Sequence, residues 1–363
     1  MKAWVLHGIN DFRYETVENP VLKDDEVLVA VRAAGICGSD IPRVFNTGTY
    51  SYPLIPGHEF SGMVVDTGEN VDSTWKDQRV GVFPLIPCYS CGPCQNGQYE
   101  MCRSYSYLGS RRDGGFAEYV AVPEKNLIAL PDNVSYEEAA MLEPMAVAVH
   151  AMRKTAPMES ECIAICGLGT IGLFLLMFLL ESGKKNILAV GNKEFQRRMA
   201  VKMGLPEECY CDSRSQDVNK WLTERTDGSG ADVFFECVGR NETLTQAISL
   251  TGAAGRVMLV GNPAADMMLD KEVYWKILRN QLTVMGTWNS SFTHERGDDW
   301  HYVLDRLQNR RIAPAELITH RFPLEDMYTG FEIMRDKSEE YGKIMGVMNF
   351  YETIRKESDF GIM

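Results

Sequence analysis

Hydrophobic and polar positions follow different patterns in different parts of the chain. Up to about residue 80, short apolar runs such as 26–32 and 62–66 are rich in β-branched residues and are bounded by turn residues. This pattern predicts half-buried strands in an all-β beginning. From residue 161 onward, apolar runs alternate with helical patterns, which is typical of βαβ units with a parallel sheet. We therefore expect an α/β protein.

The sequence also contains signals for helices on either side of the parallel region. Ser135 is followed three residues later by Glu138, a capping-box spacing that predicts a helix start. Pro144 should end or kink that helix. After residue 288 the pattern is mixed again, and it predicts helices over 300–309 and 323–334, followed by a polar stretch at 351–363 that is either a tail or a subunit contact.

Composition and charge exclude several classes of function. The 363 residues are 45% hydrophobic and carry a net charge of −13, which disfavours a nucleic acid or an anionic membrane as partner. The longest apolar run, 171–180, is half of the roughly 20 residues that a membrane span needs. The N-terminus lacks the apolar core of a signal peptide. We expect a cytoplasmic protein.

Two short segments carry candidate metal ligands. Cys37 lies in GICGSD (35–40), and His58 and Glu59 lie in PGHEF (56–60). A catalytic zinc site uses three protein ligands of these types and leaves one position for water or substrate. Glu143 is a further candidate, either as a metal ligand or as a residue that contacts a metal ligand. Alternatively, Cys37 is a buried packing residue, His58 a turn residue and Glu143 a solvated helix residue.

A second metal pattern follows in the chain. Cys88, Cys91, Cys94 and Cys102 have the spacing C-x2-C-x2-C-x7-C, which lets four thiolates surround one ion. Because a closed four-thiolate site has no vacancy for substrate, we interpret it as structural zinc, with an iron–sulfur cluster as the alternative. The other five cysteines, at 162, 166, 209, 211 and 237, lack a ligand spacing and are expected to pack in the interior.

A glycine-rich loop predicts a dinucleotide site. The apolar run 162–166 leads directly into GLGTIG (167–172) and then into a helical pattern. In this strand–loop–helix context, glycine permits a tight turn and lets backbone N–H groups approach a pyrophosphate. The candidate cofactor residues of the loop are Gly167, Gly169, Thr170, Ile171 and Gly172.

The next strand, 186–190, suggests which cofactor is used. A carboxylate normally follows it and binds the adenosine ribose. Here the strand is followed by Gly191, Asn192 and Lys193, with Arg197 and Arg198 one turn further on. This composition makes room for a 2′-phosphate and predicts a preference for NADP over NAD. Alternatively, the basic residues form a solvated helix face and Glu194 replaces the missing acid.

Three later strands end in small residues that should also border the cofactor, because ligands of parallel sheets collect at the carboxyl ends of the strands. These candidates are Val238, Gly239, Val260, Gly261 and Gly286.

Together, GICGSD, PGHEFSG, the four-cysteine segment, DGGFAEY (113–119), LEP (142–144) and GLGTIG resemble the zinc-dependent medium-chain alcohol and polyol dehydrogenases, over nearly the whole chain. The resemblance implies a GroES-like, mostly β catalytic domain at 1–150 and 288–363, with its structural zinc lobe at about 84–105. It also implies an inserted Rossmann domain at 151–287, a doubly wound parallel sheet.

The resemblance further implies a metal site and a reaction. Cys37, His58 and Glu143 would hold the catalytic zinc, with Glu59 beside them as an alternative ligand. Zinc bound there would polarise a substrate hydroxyl, and a nicotinamide would accept the hydride. Ser39 would relay the hydroxyl proton; its alternative role is a helix cap.

The substrate expected from this resemblance is a polyol or a polyol phosphate. Arg111 and Arg112 are candidate phosphate ligands, because guanidinium groups bind phosphate in a bidentate manner; a solvated or interdomain role is the alternative. In the part of the family that acts on polyol phosphates, an acid follows the second strand, so Gly191 departs from that pattern. Other readings are an enzyme for an unphosphorylated substrate of the sorbitol, butanediol or L-threonine type, a zinc-free relative resembling quinone reductases, and a non-catalytic family member. We expect a homodimer or homotetramer.

Overall fold

The structure is a computed structural model that describes residues 1–263 and 265–348; the stretch at 351–363 lies outside this range. Its strands are β1 (Lys2–Gly8), β2 (Asp11–Thr16), β3 (Glu26–Gly35), β4 (Glu59–Thr67), β5 (Arg79–Val82), β6 (Leu85–Ile86), β7 (Ser106–Tyr107), β8 (Tyr119–Pro123), β9 (Leu127–Ala129), β10 (Ile163–Cys166), β11 (Ile187–Gly191), β12 (Tyr210–Asp212), β13 (Ala231–Glu236), β14 (Thr251–Leu259), β15 (Thr283–Gly286), β16 (Ile318–Pro323) and β17 (Lys343–Val347).

The α-helices of the same residues are α1 (Asp40–Pro42), α2 (Gly92–Gln95), α3 (Tyr136–Ala140), α4 (Leu142–Thr155), α5 (Thr170–Glu181), α6 (Glu194–Lys202), α7 (Val218–Arg225), α8 (Asn241–Ser249), α9 (Lys271–Arg279), α10 (Asp299–Gln308) and α11 (Met327–Asp336). Among the described residues, no helix combines the length and the apolar character needed to cross a membrane.

The chain divides into two units. The first comprises Met1–Glu143, Phe292–Glu295 and the chain from Leu304 onward, and the second comprises Pro144–Ser291 and Arg296–Val303. Each unit has its own sheet.

The first unit is built on a seven-stranded sheet in the order β16-β17-β3-β4-β5-β9, with β8 also paired to β3. Its core contains fully buried side chains such as Val29, Phe60, Phe116 and Phe331. In the register, Gly35 at the end of β3 faces Glu59 on one side and Met345 on the other. The ends of three neighbouring strands therefore meet where the candidate metal ligands lie.

The second unit has a six-stranded parallel sheet in the order β12-β11-β10-β13-β14-β15. The strand order reverses between β10 and β13, and ligands of such sheets bind beside the carboxyl ends at this switch point. The alternation of strands and helices after residue 161 thus forms the predicted doubly wound sheet.

The predicted capping box is present at the start of α3. The Ser135 hydroxyl accepts the Glu138 N–H at 3.1 Å, and the Glu138 carboxylate accepts the Ser135 N–H at 2.8 Å. The helix ends at Ala140, and Pro144 lies in the first turn of the following α4. Proline is tolerated there because an N–H in the first turn has no partner within the helix.

Candidate active site

Cys37, His58 and Glu59 come together at the edge where β3 ends and β4 begins. Their ligand atoms all lie within 4.8 Å of one another. His58 and Glu59 are buried and Cys37 is half-buried. Two segments that are separate in sequence thus supply a thiol, an imidazole and a carboxylate to one small volume.

Asp40 lies behind this cluster and organises it. Its carboxylate is fully buried, accepts the Cys37 N–H at 3.0 Å, is paired with the Arg43 guanidinium, and lies 3.6 Å from Nδ1 of His58. Burial alone would raise the pKa of Asp40, but His58, Arg43 and the Cys37 N–H together lower it. A carboxylate behind a histidine is the usual way to orient a metal-binding imidazole.

Glu143 and Tyr107 form another side of the site. The Tyr107 hydroxyl donates to Oε1 of Glu143 at 3.1 Å, and the Tyr107 ring lies 5.8 Å from the His58 ring. Burial and the nearby Glu59 raise the pKa of Glu143 to about 7, against the opposing effects of His58 and Tyr107. Glu143 thus lies beside Tyr107, but the group of ligand atoms within 4.8 Å of one another comprises Cys37, His58 and Glu59 and does not include Glu143.

Lys343, the first residue of β17, places an ammonium group in the same buried volume. Its Nζ donates to Ile36 O at 3.0 Å and to Oε2 of Glu59. Burial would lower the pKa of Lys343, but Glu59, Cys37 and Glu143 raise it. A fully buried lysine is rare unless it is paired.

These observations fit a divalent metal ion. Although burial disfavours a charged imidazole, Asp40 and Cys37 raise the pKa of His58 well above its usual value. Nδ1 of His58 is buried without a hydrogen-bond partner among the described residues, which is the kind of atom that a bound cation would satisfy. The donor set, one sulfur, one imidazole nitrogen and carboxylate oxygens, is one that zinc accepts.

Ser39 lies beside the thiol. Its hydroxyl donates to Cys37 Sγ at 3.3 Å, and it makes no side-chain hydrogen bond as the N-cap of α1. The helix-cap alternative therefore lacks its characteristic contact, and the hydroxyl lies next to a candidate ligand.

The four-cysteine segment brings its four sulfur atoms close together. The sulfurs of Cys91 and Cys94 are 3.5 Å apart, those of Cys88 and Cys94 3.9 Å, and those of Cys91 and Cys102 4.0 Å. Four sulfurs at tetrahedral positions about 2.3 Å from one zinc ion would be separated by about 3.8 Å. The spacing fits a single ion better than it fits a multi-iron cluster.

Arg111 and Arg112, although adjacent, have different surroundings. Arg112 donates to Oε1 of buried Glu26 at 2.7 Å. The Arg111 guanidinium lies between two aromatic rings, 4.5 Å from the Tyr50 centroid and 4.3 Å from that of Tyr105, and donates to Tyr105 O. Both arginines also border a groove of about 540 Å³ that the metal-ligand cluster does not line.

The predicted dinucleotide loop has the expected geometry. Gly167 has a φ of +96°, and a Cβ on Gly172 would lie 2.0 Å from Gly167 O. Gly169 is the N-cap of α5. Similarly, a Cβ on Gly261 would lie 2.2 Å from the nitrogen of Gly239, whose φ is +80°. These glycines permit a backbone path that a side chain would block.

The end of β11 is crowded by two side-chain ends where an acid usually follows the strand. A Cβ on Gly191 would lie 2.4 Å from Oη of Tyr210 and 2.8 Å from Oε1 of Gln196. Arg197 is paired with Glu194 and Glu207. The other candidate cofactor residues, Val238, Val260 and Gly286, follow or end β13, β14 and β15.

Sequence reasoning missed three residues of the site, Asp40 as a partner of His58, Tyr107 and Lys343. Asp40 had a local signal, because it lies three residues after Cys37. Tyr107 and Lys343 had no such signal, and Lys343 is brought to the cluster by the pairing of β17 with β3.

The fold and the two sets of ligands define a dehydrogenase with a dinucleotide-binding sheet and a metal-dependent catalytic unit. Residues 23–132 match the alcohol dehydrogenase GroES-like domain, and residues 170–309 match the zinc-binding dehydrogenase domain. The chain belongs to the zinc-dependent medium-chain alcohol and polyol dehydrogenases, and it is an NAD(P)-dependent enzyme. This confirms the predicted family and the predicted combination of GroES-like and Rossmann folds.

Relatives in this family have different substrates. The chain is 34% identical to galactitol 1-phosphate 5-dehydrogenase of Escherichia coli K12 over 86% of its length and 89% of that protein. It is 32% identical to L-threonine 3-dehydrogenase of Bacillus licheniformis over 89% of its length and 92% of that protein.

Solved structures agree with the fold. Galactitol-1-phosphate dehydrogenase from Escherichia coli superposes with a TM-score of 0.88 at 32% identity, covering 96% of this chain and all of that one. A zinc-binding dehydrogenase from Sinorhizobium meliloti bound to NADP gives 0.85 at 27%, covering 95% and 98%. An alcohol dehydrogenase from Escherichia coli CFT073 in complex with NADH gives 0.87 at 26%, covering 96% and 99%.

Replacing Arg112 tests its assignment as a structural residue. Arg112→Gln should lower the free energy of unfolding by about 2–3 kcal/mol, because it leaves a buried carboxylate with only the weaker Lys23 contact. Arg112 helps to hold the pKa of Glu26 below its usual value, although burial opposes this. The stabilisation is therefore present above the usual carboxyl pKa and is lost as the pH falls through the lowered one.

Urea denaturation at pH 7 and near pH 4 measures both effects. The exposed Arg103→Gln is the control, and it should change stability by less than about 0.5 kcal/mol. Equal losses for the two variants, or a loss at Arg112 that does not shrink in acid, would contradict the assignment.

Proposed function

We propose that the protein oxidises a secondary alcohol of a polyol or polyol phosphate, with NADP as the preferred acceptor and zinc in the Cys37 site. The observation that carries this proposal is the buried cluster of Cys37, His58 and Glu59, whose ligand atoms lie within 4.8 Å of one another. The relatives named above are dehydrogenases of small hydroxylated molecules, which supports the same class of substrate.

In this proposal, Cys37, His58 and Glu143 hold the ion, with Glu59 as an alternative ligand. Zinc would supply Lewis-acid polarisation of the substrate hydroxyl. Asp40 keeps the imidazole of His58 oriented. Ser39 accepts the proton that leaves the substrate hydroxyl and passes it toward solvent, a role supported by its contact with Cys37. Tyr107 holds Glu143 by a hydrogen bond.

The metal sites can be separated by mutation. The intact chain should contain two zinc ions, one per site. Cys37→Ser should lose one ion and lower kcat/KM at least about 1,000-fold while the melting temperature changes little, because an open site contributes less to folding than a closed one. Cys102→Ser should lose the other ion and lower the melting temperature.

Metal analysis together with thermal denaturation checks both outcomes. Iron and sulfide in place of the second zinc would instead support the iron–sulfur alternative. A fully active chain without an ion at Cys37 would contradict the proposed mechanism.

A phosphorylated substrate is supported by Arg111. Its guanidinium is held between Tyr50 and Tyr105, and the Tyr105 ring lies 6.2 Å from that of Tyr107, which in turn contacts His58. A row of aromatic side chains thus leads from the metal cluster to a fixed cation. Arg112 is a weaker candidate because it is paired with Glu26.

Arg111→Gln should raise KM for a polyol phosphate about tenfold or more and change KM for the free polyol less than about twofold, because only the phosphate contacts the guanidinium. Arg103→Gln removes the same charge elsewhere and should affect neither. Equal effects of Arg111→Gln on both substrates would favour the second candidate function, oxidation of an unphosphorylated substrate such as sorbitol, butanediol or L-threonine.

The preference for NADP is supported by the glycine at 191 in place of the usual acid, at a crowded position, and by the basic Lys193 two residues later. Relatives bound to NADP and to NADH both exist, so the choice depends on this corner of the chain. Lys193→Ala should raise KM for NADP about tenfold and leave KM for NAD nearly unchanged, since only NADP carries the extra phosphate.

Lys185→Ala is the matched control, because this exposed lysine precedes β11 instead of following it. Steady-state kinetics with both cofactors provides the measurement. If the wild-type chain favours NAD tenfold or more, the proposed preference is wrong.

A homodimer or higher oligomer is supported by the edge of the second unit's sheet. Within the part of the chain that the structure describes, β15 pairs only with β14, and exposed apolar side chains lie on it and on α9, among them Tyr274, Trp275 and Val284. An exposed strand edge beside an apolar patch favours association with another chain.

Light scattering should therefore give at least twice the mass of one chain. Val284→Lys should reduce that mass, because it places a charge on the edge strand, whereas Val201→Lys on the exposed face of α6 should not. A wild-type monomer at micromolar concentration would exclude the oligomer.

A further inference from the structure

Glu236, the last residue of β13, is a buried acid for which the proposed reaction has no step. It is 2% exposed, and its register partner is Cys166, the last residue of β10. The strand order reverses between β10 and β13, and a dinucleotide lies across the carboxyl ends of the strands at such a point. A buried carboxylate therefore lies beside the expected cofactor site.

The carboxylate is fixed by the backbone that follows it. Oε1 of Glu236 accepts the N–H groups of Val238 at 2.8 Å and of Gly239 at 2.9 Å. The backbone oxygen of the same residue accepts the N–H groups of Val260 and Gly261. Glu236 thus ties together the two loops that follow β13 and β14, and its carboxylate cannot turn away without breaking both of its own hydrogen bonds.

The turn that carries these donors packs against the glycine-rich loop. Gly239 has a φ of +80°, which glycine adopts readily, and a Cβ on it would lie 2.1 Å from Asn262 O. A Cβ on Gly167 would lie 2.5 Å from Cγ2 of Val238. The turn 237–239 is therefore confined on both sides, and it keeps the preceding carboxylate in one place.

Glu236 has no cationic partner among the residues that the structure describes. Other buried acids of the chain, such as Glu26 and Asp299, are each paired with an arginine. Removing an unpaired carboxylate from water is costly, and the two N–H groups that it accepts favour its ionised form. A positive charge that is bound nearby would therefore be stabilised by Glu236.

The charge of Glu236 acts on both thiols at this point of the sheet. Burial is the main reason that the pKa of Cys166 is raised to about 12, and Glu236 is the second. The same two causes raise the pKa of Cys237, which directly follows β13, well above its usual value. The electrostatic influence of the carboxylate thus reaches the carboxyl ends of both strands.

The oxidised and reduced forms of a nicotinamide cofactor differ in charge at the ring. The ring of the oxidised form is positive and that of the reduced form is neutral, whereas the phosphates are the same in both. A fixed carboxylate repels these phosphates alike in the two forms but attracts only the oxidised ring. It therefore changes the ratio of the two affinities.

We propose that Glu236 is a specificity-determining residue for the oxidation state of the cofactor, and that its buried charge favours the oxidised form over the reduced form. The inference depends on a nicotinamide cofactor. It depends neither on the metal ion at Cys37 nor on the preference for NADP.

Equilibrium binding measures this ratio without turnover. The holoenzyme is titrated with NADPH, whose fluorescence reports binding, and the bound NADPH is then displaced with NADP⁺. Glu236→Gln removes the charge but keeps an oxygen that can accept both N–H groups. It should lower the affinity for NADP⁺ relative to that for NADPH about three- to tenfold, which is the size of effect expected of one charge at an effective dielectric constant of about 20.

Asp232→Asn is the matched control, because it removes a charge near the opposite end of the same strand. It should change the ratio less than about twofold. If Glu236→Gln weakens the binding of both forms in equal proportion, Glu236 only shapes the turn and the proposal is overturned. A ratio that moves toward NADP⁺ would overturn it as well.

If Glu236→Gln does not fold, the charge can be compensated instead. Val238→Lys brings an ammonium group within reach of the carboxylate, and Val238→Met is its neutral control. The lysine variant should lower the ratio relative to the methionine variant, and equal ratios would overturn the proposal. Because NAD⁺ and NADH have the same charge difference, the expected shift in either cofactor pair supports the role of Glu236 even if the preference for NADP fails.

Discussion

Buried negative charge is the constraint on which the first unit depends. Asp40 and Glu59 are both removed from water, and burial of an unpaired carboxylate costs several kcal/mol. Arg43 and Lys343 each neutralise one of them. What remains is a pocket that is still negative enough to raise the pKa of His58. The two cations therefore limit the negative charge that remains in the buried cluster.

Backbone geometry has to bring these groups together first. The candidate ligands Cys37, His58 and Glu59 lie where β3 ends and β4 begins. Glycine is needed where the packing leaves no room for a side chain, as at Gly35 beside the buried pair and at Gly172 against the Gly167 carbonyl. In both units a glycine leaves space that a side chain would fill. In the first unit this space holds a buried ion pair, and in the second it allows two backbone segments to approach closely.

The sequence was sufficient to predict those sites whose residues lie close together in the chain. The four cysteines lie within fifteen residues of one another, and the glycine loop is contiguous, so their geometry follows from a short stretch of chain. Lys343 lies 284 residues after Glu59, and only the pairing of β17 with β3 brings them together. A sequence without its strand register carries no signal for that contact. The predicted fold class was correct because hydrophobic alternation is a property of whole segments.

Two adjacent residues also show that sequence alone does not reveal which residues a side chain contacts. Arg111 and Arg112 are indistinguishable in the sequence, yet one lies between tyrosine rings and the other neutralises a buried glutamate 86 residues earlier. A sequence motif can suggest that an arginine lies near a site. The residue that the arginine contacts in the fold determines whether its guanidinium is available to a ligand.

The fold alone does not fix which substrate this protein takes. Relatives at similar identity over most of the chain are named for substrates as different as galactitol 1-phosphate and L-threonine. The corner at Gly191 illustrates how such a choice is fixed. Tyr210 donates to Lys193 O at 3.2 Å, and its Oη lies 2.4 Å from where a Cβ on residue 191 would be. An acid at residue 191 would require this hydroxyl end to move, so the corner depends on the packing of β12 against β11 as well as on the charge beside it.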